Sequence, residues 1–316
     1  GYFKTFTVSI CYKKSFSQKN KKNNMDIAID EICKKVEKLI LNQGCNILVL
    51  SDRKLDKKYI AIPSLLAISA VHHYLIMKGL RTNVGLVIET GEARRVHDMC
   101  LLAGYGAEAI NPYLALSTIS YLASKNKIDE DHAKNQYVKA LCKGILKVMS
   151  KMGISTYQSY CGAQIFDCVG LSKDLVDKFF VGTSTKIEGV NLNHILLETE
   201  KRHSFAFEEN IFNRNELDIG GDLSFRLNGE HHVWTPETIS KLQHAVRSEN
   251  YQLFKEYSKV INDQTEKYKN LRGMLQLIPS QSSIKLNEVE PLSNIVKRFS
   301  SGAMSFGSIS EEAHTT

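Results

Sequence analysis

Two continuously apolar runs, each followed by a helical pattern, constrain the fold of this chain more than any other feature of its sequence. The runs are NILVL at residues 46–50 and NVGLVIE at residues 83–89. Such uninterrupted runs are typical of parallel strands that are covered on both faces. A helix opened by Pro63 and closed by Gly79 follows the first run, and a helix that buries Val96 follows the second. Two successive strand–helix units predict an α/β fold built on a parallel sheet.

Helical periodicity also appears on both sides of these units. It predicts helices at about 25–43, 113–123, 133–152 and 171–180, and a long helical run capped by Thr235. The stretch from residue 181 to Gly221 is polar and weakly periodic, so no element is predicted there. The basic run at residues 13–24 has no periodicity and is expected to form a mobile surface loop. The single tryptophan, Trp234, is expected to be packed in a core.

Composition and charge exclude several classes of function. The net charge is +7, but the basic residues are dispersed and lack interleaved aromatic residues, so we expect no nucleic-acid partner. No run approaches the roughly 20 apolar residues that span a bilayer, so we expect no membrane partner. The chain starts at Gly1 without an initiator methionine or a signal peptide, and we expect it to be internal to a longer polypeptide.

Cysteine and histidine usage indicates structural roles rather than a metal site. Seven cysteines form an odd set without even spacing, which is typical of an intracellular, reducing compartment. No C-x-x-C occurs, and neither histidine pair has the spacing of a zinc site. His72 and His73 are predicted to be structural, with His72 nearer the apolar face of its helix. No metal ligand is therefore predicted.

Charged side chains follow both predicted strands and give the first candidate functional surface. Asp52 and Arg53 follow the first strand, while Glu89 and Glu92 lie at the end of the second. The carboxyl ends of parallel strands carry the functional loops of α/β folds, so these residues are predicted to lie on the functional side. A second interpretation, which we favour, is that they cap helices and pair with one another. Thr90 is predicted to cap the helix that follows.

Several long blocks, in order along the chain, resemble the central region of glutamate synthase. They are LSDRKLD at 50–56, IPSLLAISAVHHYLI at 62–76, GLRTNVGLVIETGEARRVHDMCLLAGYGAEAINPYLA at 79–115, and VMSKMGISTYQSYCGAQIF at 148–166. The resemblance continues through EVEPLSNIVKRFSSGAMSFGSISEEAHTT at the end of the chain. In this family the central region joins a glutamine amidotransferase domain to a (β/α)₈ synthase domain that binds FMN and an iron–sulfur cluster.

The resemblance implies a division into two parts and a partial flavin site. Residues 1–275 would be the central, connecting domain, and residues 276–316 would begin the FMN-binding barrel with its first strand and the start of a helix. A composition change around Pro279 fits this boundary. In the barrel, Gly302, Ala303, Met304 and Ser305 would lie against the flavin ring, because small residues let the backbone approach a flat ring closely.

The resemblance shows one departure from the family's usual pattern and one preference within the family. Cys161 stands where the family usually carries a basic residue. Phe306 and Ser308 resemble the NADH- or NADPH-dependent members more than the ferredoxin-dependent ones. The iron–sulfur cluster, and any FAD and NAD(P)H, would bind outside this chain, to the parent enzyme or to an electron-donating flavoprotein partner.

The sequence is compatible with three functions. In the first, the chain is a section of an enzyme that reduces an imine, formed from 2-oxoglutarate and glutamine-derived ammonia, with reduced FMN. In the second, it is a non-catalytic α/β scaffold that positions two active sites. In the third, it binds a small molecule by itself, although no glycine-rich phosphate loop follows either strand. The first two are compatible. The resemblance implies no catalytic residue in this chain, and we expect no turnover from it alone.

Overall fold

The computed structural model of the chain describes residues 2–14, 24–207, 219–263, 278–280 and 282–300, together with residues 275, 302, 304, 305, 307, 308 and 311. The chain divides into two compact units, Gly1–Arg214 and Asn215–Thr316. The domain boundary predicted at residues 275 and 276 falls among residues that are mostly outside the described part, so it stays a prediction. The predicted loop at residues 13–24 also lies largely outside the described residues.

The first unit alternates strands and helices along the chain. Its described strands are β1 (Thr5–Ser9), β2 (Cys11–Lys13), β3 (Ile47–Ser51), β4 (Tyr59–Ala61), β5 (Gly85–Glu89), β6 (Ala109–Asn111), β7 (Asp167–Leu171) and β8 (Ser184–Val190). Its described helices are α1 (Asn24–Gln43), α2 (Ser64–Met77), α3 (Val96–Gly104), α4 (Tyr113–Lys125), α5 (Glu130–Met152), α6 (Tyr157–Tyr160), α7 (Lys173–Phe179) and α8 (Leu192–Phe207). The helices predicted at about 25–43, 113–123, 133–152 and 171–180 are therefore present as α1, α4, α5 and α7.

Four parallel strands form the main sheet of the first unit, in the order β1-β3-β5-β6. The strand order follows the chain order, as repeated crossovers in one direction produce. One row of paired residues runs across the carboxyl edge of the sheet and consists of Ser9, Ser51, Glu89 and Asn111. The predicted α/β class with a parallel sheet is confirmed, and polar side chains meet at the edge where the strands end.

The core lies between this sheet and the helices that connect its strands. Leu48 and Leu50 of β3 are fully buried and belong to one apolar cluster with the inner faces of α1 and α2. The alternate residues of the same strand, Ile47 and Val49, are only half-buried. The strands are covered on both faces as predicted, and one face is better covered than the other within the described residues.

Several strands and a helix were not predicted from the sequence. Among them, β2 and β4 form an antiparallel pair, and β7 and β8 form a parallel pair with an irregular register. The helix α8 buries Thr199 and His203 but leaves most of its other side chains at least partly exposed. Elements that bury so few apolar side chains carry little periodic signal, which is why the stretch after residue 181 resembled an irregular segment.

The start of α3 differs from the prediction. The helix begins at Val96, and its N-cap is Arg95 rather than Thr90. The Asp98 carboxylate accepts hydrogen bonds from the backbone N–H groups of Arg94 (2.9 Å) and Arg95 (3.0 Å). These bonds satisfy backbone N–H groups at the start of α3. The Thr90 side chain is therefore not needed as the cap of this helix.

The second unit contains α9 (Pro236–Arg247), α10 (Tyr251–Asn262) and the short α11 (Leu292–Ile295) within its described residues. The predicted Thr235 cap is confirmed, because its side chain accepts a hydrogen bond from the Thr238 backbone N–H. The predicted long helical run is two helices, since Asn250 caps the second. Trp234 is 56% exposed, so the prediction of a packed tryptophan is wrong for the described residues.

Candidate functional site

The carboxyl edge of the main sheet gathers the charged residues that the sequence singled out. Glu89, at the end of β5, forms an ion pair with Arg53 at 2.7 Å. It also accepts hydrogen bonds from the Ser51 hydroxyl (2.6 Å) and the Asn111 amide (3.2 Å). Burial opposes ionisation of Glu89, but the bonds from Ser51 and Arg53 outweigh it and hold its pKa below the ordinary value. We call Ser51, Asp52, Arg53, Glu89 and Asn111 the carboxyl-edge cluster.

Asp52 is the most buried carboxylate of this cluster, with 4% of its surface exposed. One of its oxygens, Oδ2, accepts hydrogen bonds from the Thr90 hydroxyl and the Gly91 backbone N–H, both at 2.8 Å. The other oxygen, Oδ1, has no hydrogen bond within the described part of the chain. Thr90, predicted as a helix cap, therefore fixes Asp52 and the loop that leaves β5.

Glu92 caps a helix that lies 28 residues before it in the chain. Its Oε2 accepts hydrogen bonds from the backbone N–H of Ser64 (2.7 Å) and from the Ser64 hydroxyl (2.8 Å), at the first residue of α2. A carboxylate is favourable at a helix N-terminus because the terminal N–H groups are unsatisfied and the helix dipole is positive there. The Arg53 guanidinium also lies 4.1 Å above the centre of the Tyr113 ring. Because these charged side chains contact one another, a helix start and an aromatic ring, the structural interpretation that we favour is supported.

A second polar cluster lies at the opposite, amino edge of the sheet and was not predicted. His72 on α2 is 7% exposed, and its Nδ1 accepts a hydrogen bond from Arg81 Nε at 2.9 Å. Arg81 also donates to the carbonyl groups of Val84 (2.8 Å) and Gly106 (3.0 Å). Its Nη2 forms an ion pair with Glu108 at 2.9 Å. We call His72, Arg81 and Glu108 the amino-edge cluster.

The environment of His72 opposes protonation of its ring. Burial, followed by the nearby charge of Arg81, lowers the pKa of His72 from 6.5 to about 4. Burial also lowers the pKa of His73. Both imidazoles are therefore neutral near pH 7. The described residues contain no group of three His, Cys, Asp or Glu side chains that could hold a metal ion. The observed contacts of His72 are those of a structural residue.

Acidification should destabilise the protein through His72. Because its folded pKa, about 4, lies below 6.5, the unfolded chain binds the proton more tightly. The neutral His72 contributes its stability fully above pH 6.5, and this is lost as the pH falls towards 4. We expect His72 to account for about 3 kcal/mol of lost stability between pH 7 and pH 4. Urea denaturation at both pH values should show a smaller loss for His72→Gln. The exposed His194→Gln serves as the control, and equal losses in all three proteins would contradict the assignment.

The predicted flavin-contacting residues belong to the second unit. Gly302, Met304 and Ser305 are exposed, and Met304 is 55% exposed. Ala303 lies outside the described residues. The Ser305 carbonyl accepts a hydrogen bond from the Ser308 backbone N–H at 2.9 Å, and the two hydroxyl groups are 2.6 Å apart. No described residue from 299 to 308 lies in a strand, so the predicted first barrel strand stays a prediction.

This segment nevertheless fits a flat aromatic group. Gly302 has no side chain, and the atom nearest to a Cβ added there would be the Met304 methyl carbon at 3.4 Å. A soft thioether and a side-chain-free backbone, both open to solvent, can pack closely against a ring. Ser305 adds a hydroxyl that can donate a hydrogen bond. The contact of these residues with FMN stays a prediction.

Comparison with known proteins identifies the family. The glutamate synthase central domain matches residues 1–172, and the conserved region in glutamate synthase matches residues 232–316. The chain is 44% identical over 92% of its length to the NADPH glutamate synthase large chain of Bacillus subtilis, of which it covers 19%. It is 42% identical over 92% of its length to the NADH glutamate synthase of Schizosaccharomyces pombe, of which it covers 14%.

A ferredoxin-dependent relative matches over a similar span. The chain is 37% identical over 91% of its length to the ferredoxin-dependent glutamate synthase of Cyanidium caldarium, of which it covers 19%. The chain thus spans a fifth or less of the length of these curated relatives. Because the central-domain match alone covers more than half of its residues, the chain belongs to the glutamate synthase family.

Proposed function

We propose that the protein containing this chain makes L-glutamate from 2-oxoglutarate and ammonia released from glutamine. Reduced FMN would supply the hydride that reduces the imine. The observation that carries this proposal is the 44% identity to a glutamate synthase large chain over 92% of the chain. The matches to the glutamate synthase central domain over residues 1–172 and to the conserved region in glutamate synthase over residues 232–316 also support it.

Within that enzyme, we propose that residues 1–275 connect the amidotransferase and synthase domains without contributing catalytic groups. The charges of the carboxyl-edge cluster support this role, since Arg53 pairs with Glu89 and Asp52 holds the loop after β5. The neighbouring Glu92 caps the start of α2. Residues 302–305 would form part of the FMN site, and the iron–sulfur cluster would bind elsewhere in the enzyme.

All seven cysteines are free thiols, which fits a reducing compartment. Among the residues that the structure describes, none of the helices could span a bilayer.

An isotope experiment tests the proposed reaction. The full-length protein would be given glutamine with heavy nitrogen in its amide, 2-oxoglutarate, and NADH, NADPH or reduced ferredoxin in separate reactions. We expect the label to appear in the α-amino group of newly formed glutamate. We expect NADH or NADPH to support this reaction best, because Phe306 and Ser308 resemble the members that use them. Release of labelled ammonia without labelled glutamate would contradict the proposal, and a preference for ferredoxin would contradict only the choice of donor.

Limited proteolysis tests the proposed boundary near residue 275. We expect early cleavage between Arg272 and Lys285, because Pro279 and the neighbouring serines interrupt helical periodicity there. Mass spectrometry of the first fragments would locate the cut. Protection of this segment, together with early cleavage inside residues 83–110, would show that the boundary is misplaced.

A further inference from the structure

A cavity of about 440 Å³ opens at the amino edge of the main sheet, away from the carboxyl-edge cluster. It lies where β5 begins, at Gly85, and next to Glu108, the residue directly before β6. Its polar lining includes His72, Arg81, Asn83, Glu108, Gln158 and Cys161. The cavity is large enough for a small polar molecule, so the groups that face it decide which chemistry it can bind.

His72 offers the cavity one hydrogen-bond donor of fixed position. Arg81 donates from Nε to His72 Nδ1 at 2.9 Å, and an arginine side chain stays protonated in proteins. Nδ1 must therefore be the acceptor, which places the ring proton of the neutral imidazole on Nε2. Within the described residues, Nε2 makes no hydrogen bond, although His72 is only 7% exposed. An acceptor atom of a ligand would satisfy this N–H group.

Glu108 offers the cavity an acceptor, whereas Arg81 is almost fully engaged by the protein. Four of the five N–H groups of Arg81 are directed at His72, Val84, Gly106 and Glu108, which leaves one on Nη1. Glu108 receives Arg81 on Oε1, while its Oε2 has no hydrogen bond within the described residues. The two opposite charges cancel, so the cavity favours neither a lone anion nor a lone cation by net charge.

We propose that this cavity binds an α-amino acid as its zwitterion. The carboxylate accepts a hydrogen bond from His72 Nε2, and the ammonium group donates to Glu108 Oε2. The amides of Asn83 and Gln158, which also line the cavity, provide a polar, uncharged surface for the rest of the ligand. This binding site is separate from the proposed catalytic function and does not depend on it.

Protection of Cys161 gives a local readout of binding in the full-length protein, whose active sites bind amino acids of their own. Cys161 lines the cavity, whereas Cys142 is exposed and lies outside it. The probe is glycine, and the alkylation rates of both thiols by iodoacetamide are measured by mass spectrometry. By mass action, glycine at about nine times its Kd should slow alkylation of Cys161 about tenfold, with Cys142 unchanged. Failure of glycine to protect Cys161 at any concentration up to its solubility would overturn the proposal.

Two controls test the assigned contacts. Glu108→Gln keeps an acceptor for Arg81 but removes the charge, and should weaken glycine binding about tenfold. Glu37→Gln alters a part-exposed carboxylate that contacts Tyr74 and Lys78 outside the cavity, and should leave binding unchanged. Acetate and methylamine carry the two halves of glycine separately, and neither should protect Cys161 at the same concentration. Unchanged protection in Glu108→Gln, or equal protection by either half alone, would overturn the proposal. The comparison of glycine with acetate and methylamine uses the unaltered chain. It therefore remains a valid test even if Glu108→Gln does not fold.

Discussion

Replacing Gly106 with alanine should lower the free energy of unfolding by about 3 kcal/mol or more. Gly106 lies in the turn between α3 and β6 and has φ +108°. Residues that carry a side chain rarely adopt this backbone conformation. An added Cβ would lie 2.3 Å from His72 Nδ1 and 2.6 Å from His72 Cγ, far inside contact distance. His72 cannot move freely, because it is buried and bonded to Arg81. Backbone strain and steric overlap therefore act together.

A matched control separates these two effects. Gly153 ends α5 at φ +70°, and nothing lies within 4 Å of a Cβ added there. Gly153→Ala should lower the free energy of unfolding by about 1 kcal/mol, the strain of a left-handed backbone alone. Urea denaturation of both variants measures the difference. Similar losses in the two variants would contradict the close contact between Gly106 and His72.

The parallel sheet could be predicted because its central strands bury apolar side chains in continuous runs. Leu48 and Leu50 of β3, and Leu86 and Ile88 of β5, are fully buried. Each pair belongs to a continuous apolar run that can be recognised in the sequence. The strand β1 was missed although Phe6 and Val8 alternate with polar residues, because an edge strand of five residues gives a weak signal. The pair β7 and β8 was missed for a similar reason, since most of its side chains remain partly or fully exposed.

The candidate sites show which contacts a sequence can reveal. Asp52 and Glu89 could be predicted to meet at one edge of the sheet, because both lie at the carboxyl ends of predicted parallel strands. The structure confirms this prediction. That Glu92 caps α2 does not follow from any local pattern, because its partner Ser64 lies 28 residues away. The amino-edge cluster was missed for the same reason, since Arg81 lies 9 residues from His72 and 27 from Glu108. Spacings of this kind match no helical or strand period, so only the tertiary fold brings these groups together.

Substitutions in the proposed flavin-contacting segment should have the second large effect. If Ala303 lies against the flavin ring, Ala303→Val adds two methyl groups where the backbone must approach closely, and FMN occupancy should fall about tenfold or more. Met304→Leu keeps the side-chain volume but removes the sulfur, so it should change the flavin spectrum with little loss of stability. Met152→Leu, at a methionine that is 50% exposed in α5, is the matched control.

We propose that this chain contributes residues 302–305 to the FMN site of a glutamate synthase. The most direct test is to measure FMN occupancy, visible absorption and reduction potential in the full-length protein and in the three variants. We expect FMN in the unaltered protein, reduced occupancy in Ala303→Val, and an altered spectrum in Met304→Leu but not in Met152→Leu. Full occupancy and unaltered spectra in all variants would contradict the flavin contact, and a full-length protein that binds no FMN would contradict the proposed function itself.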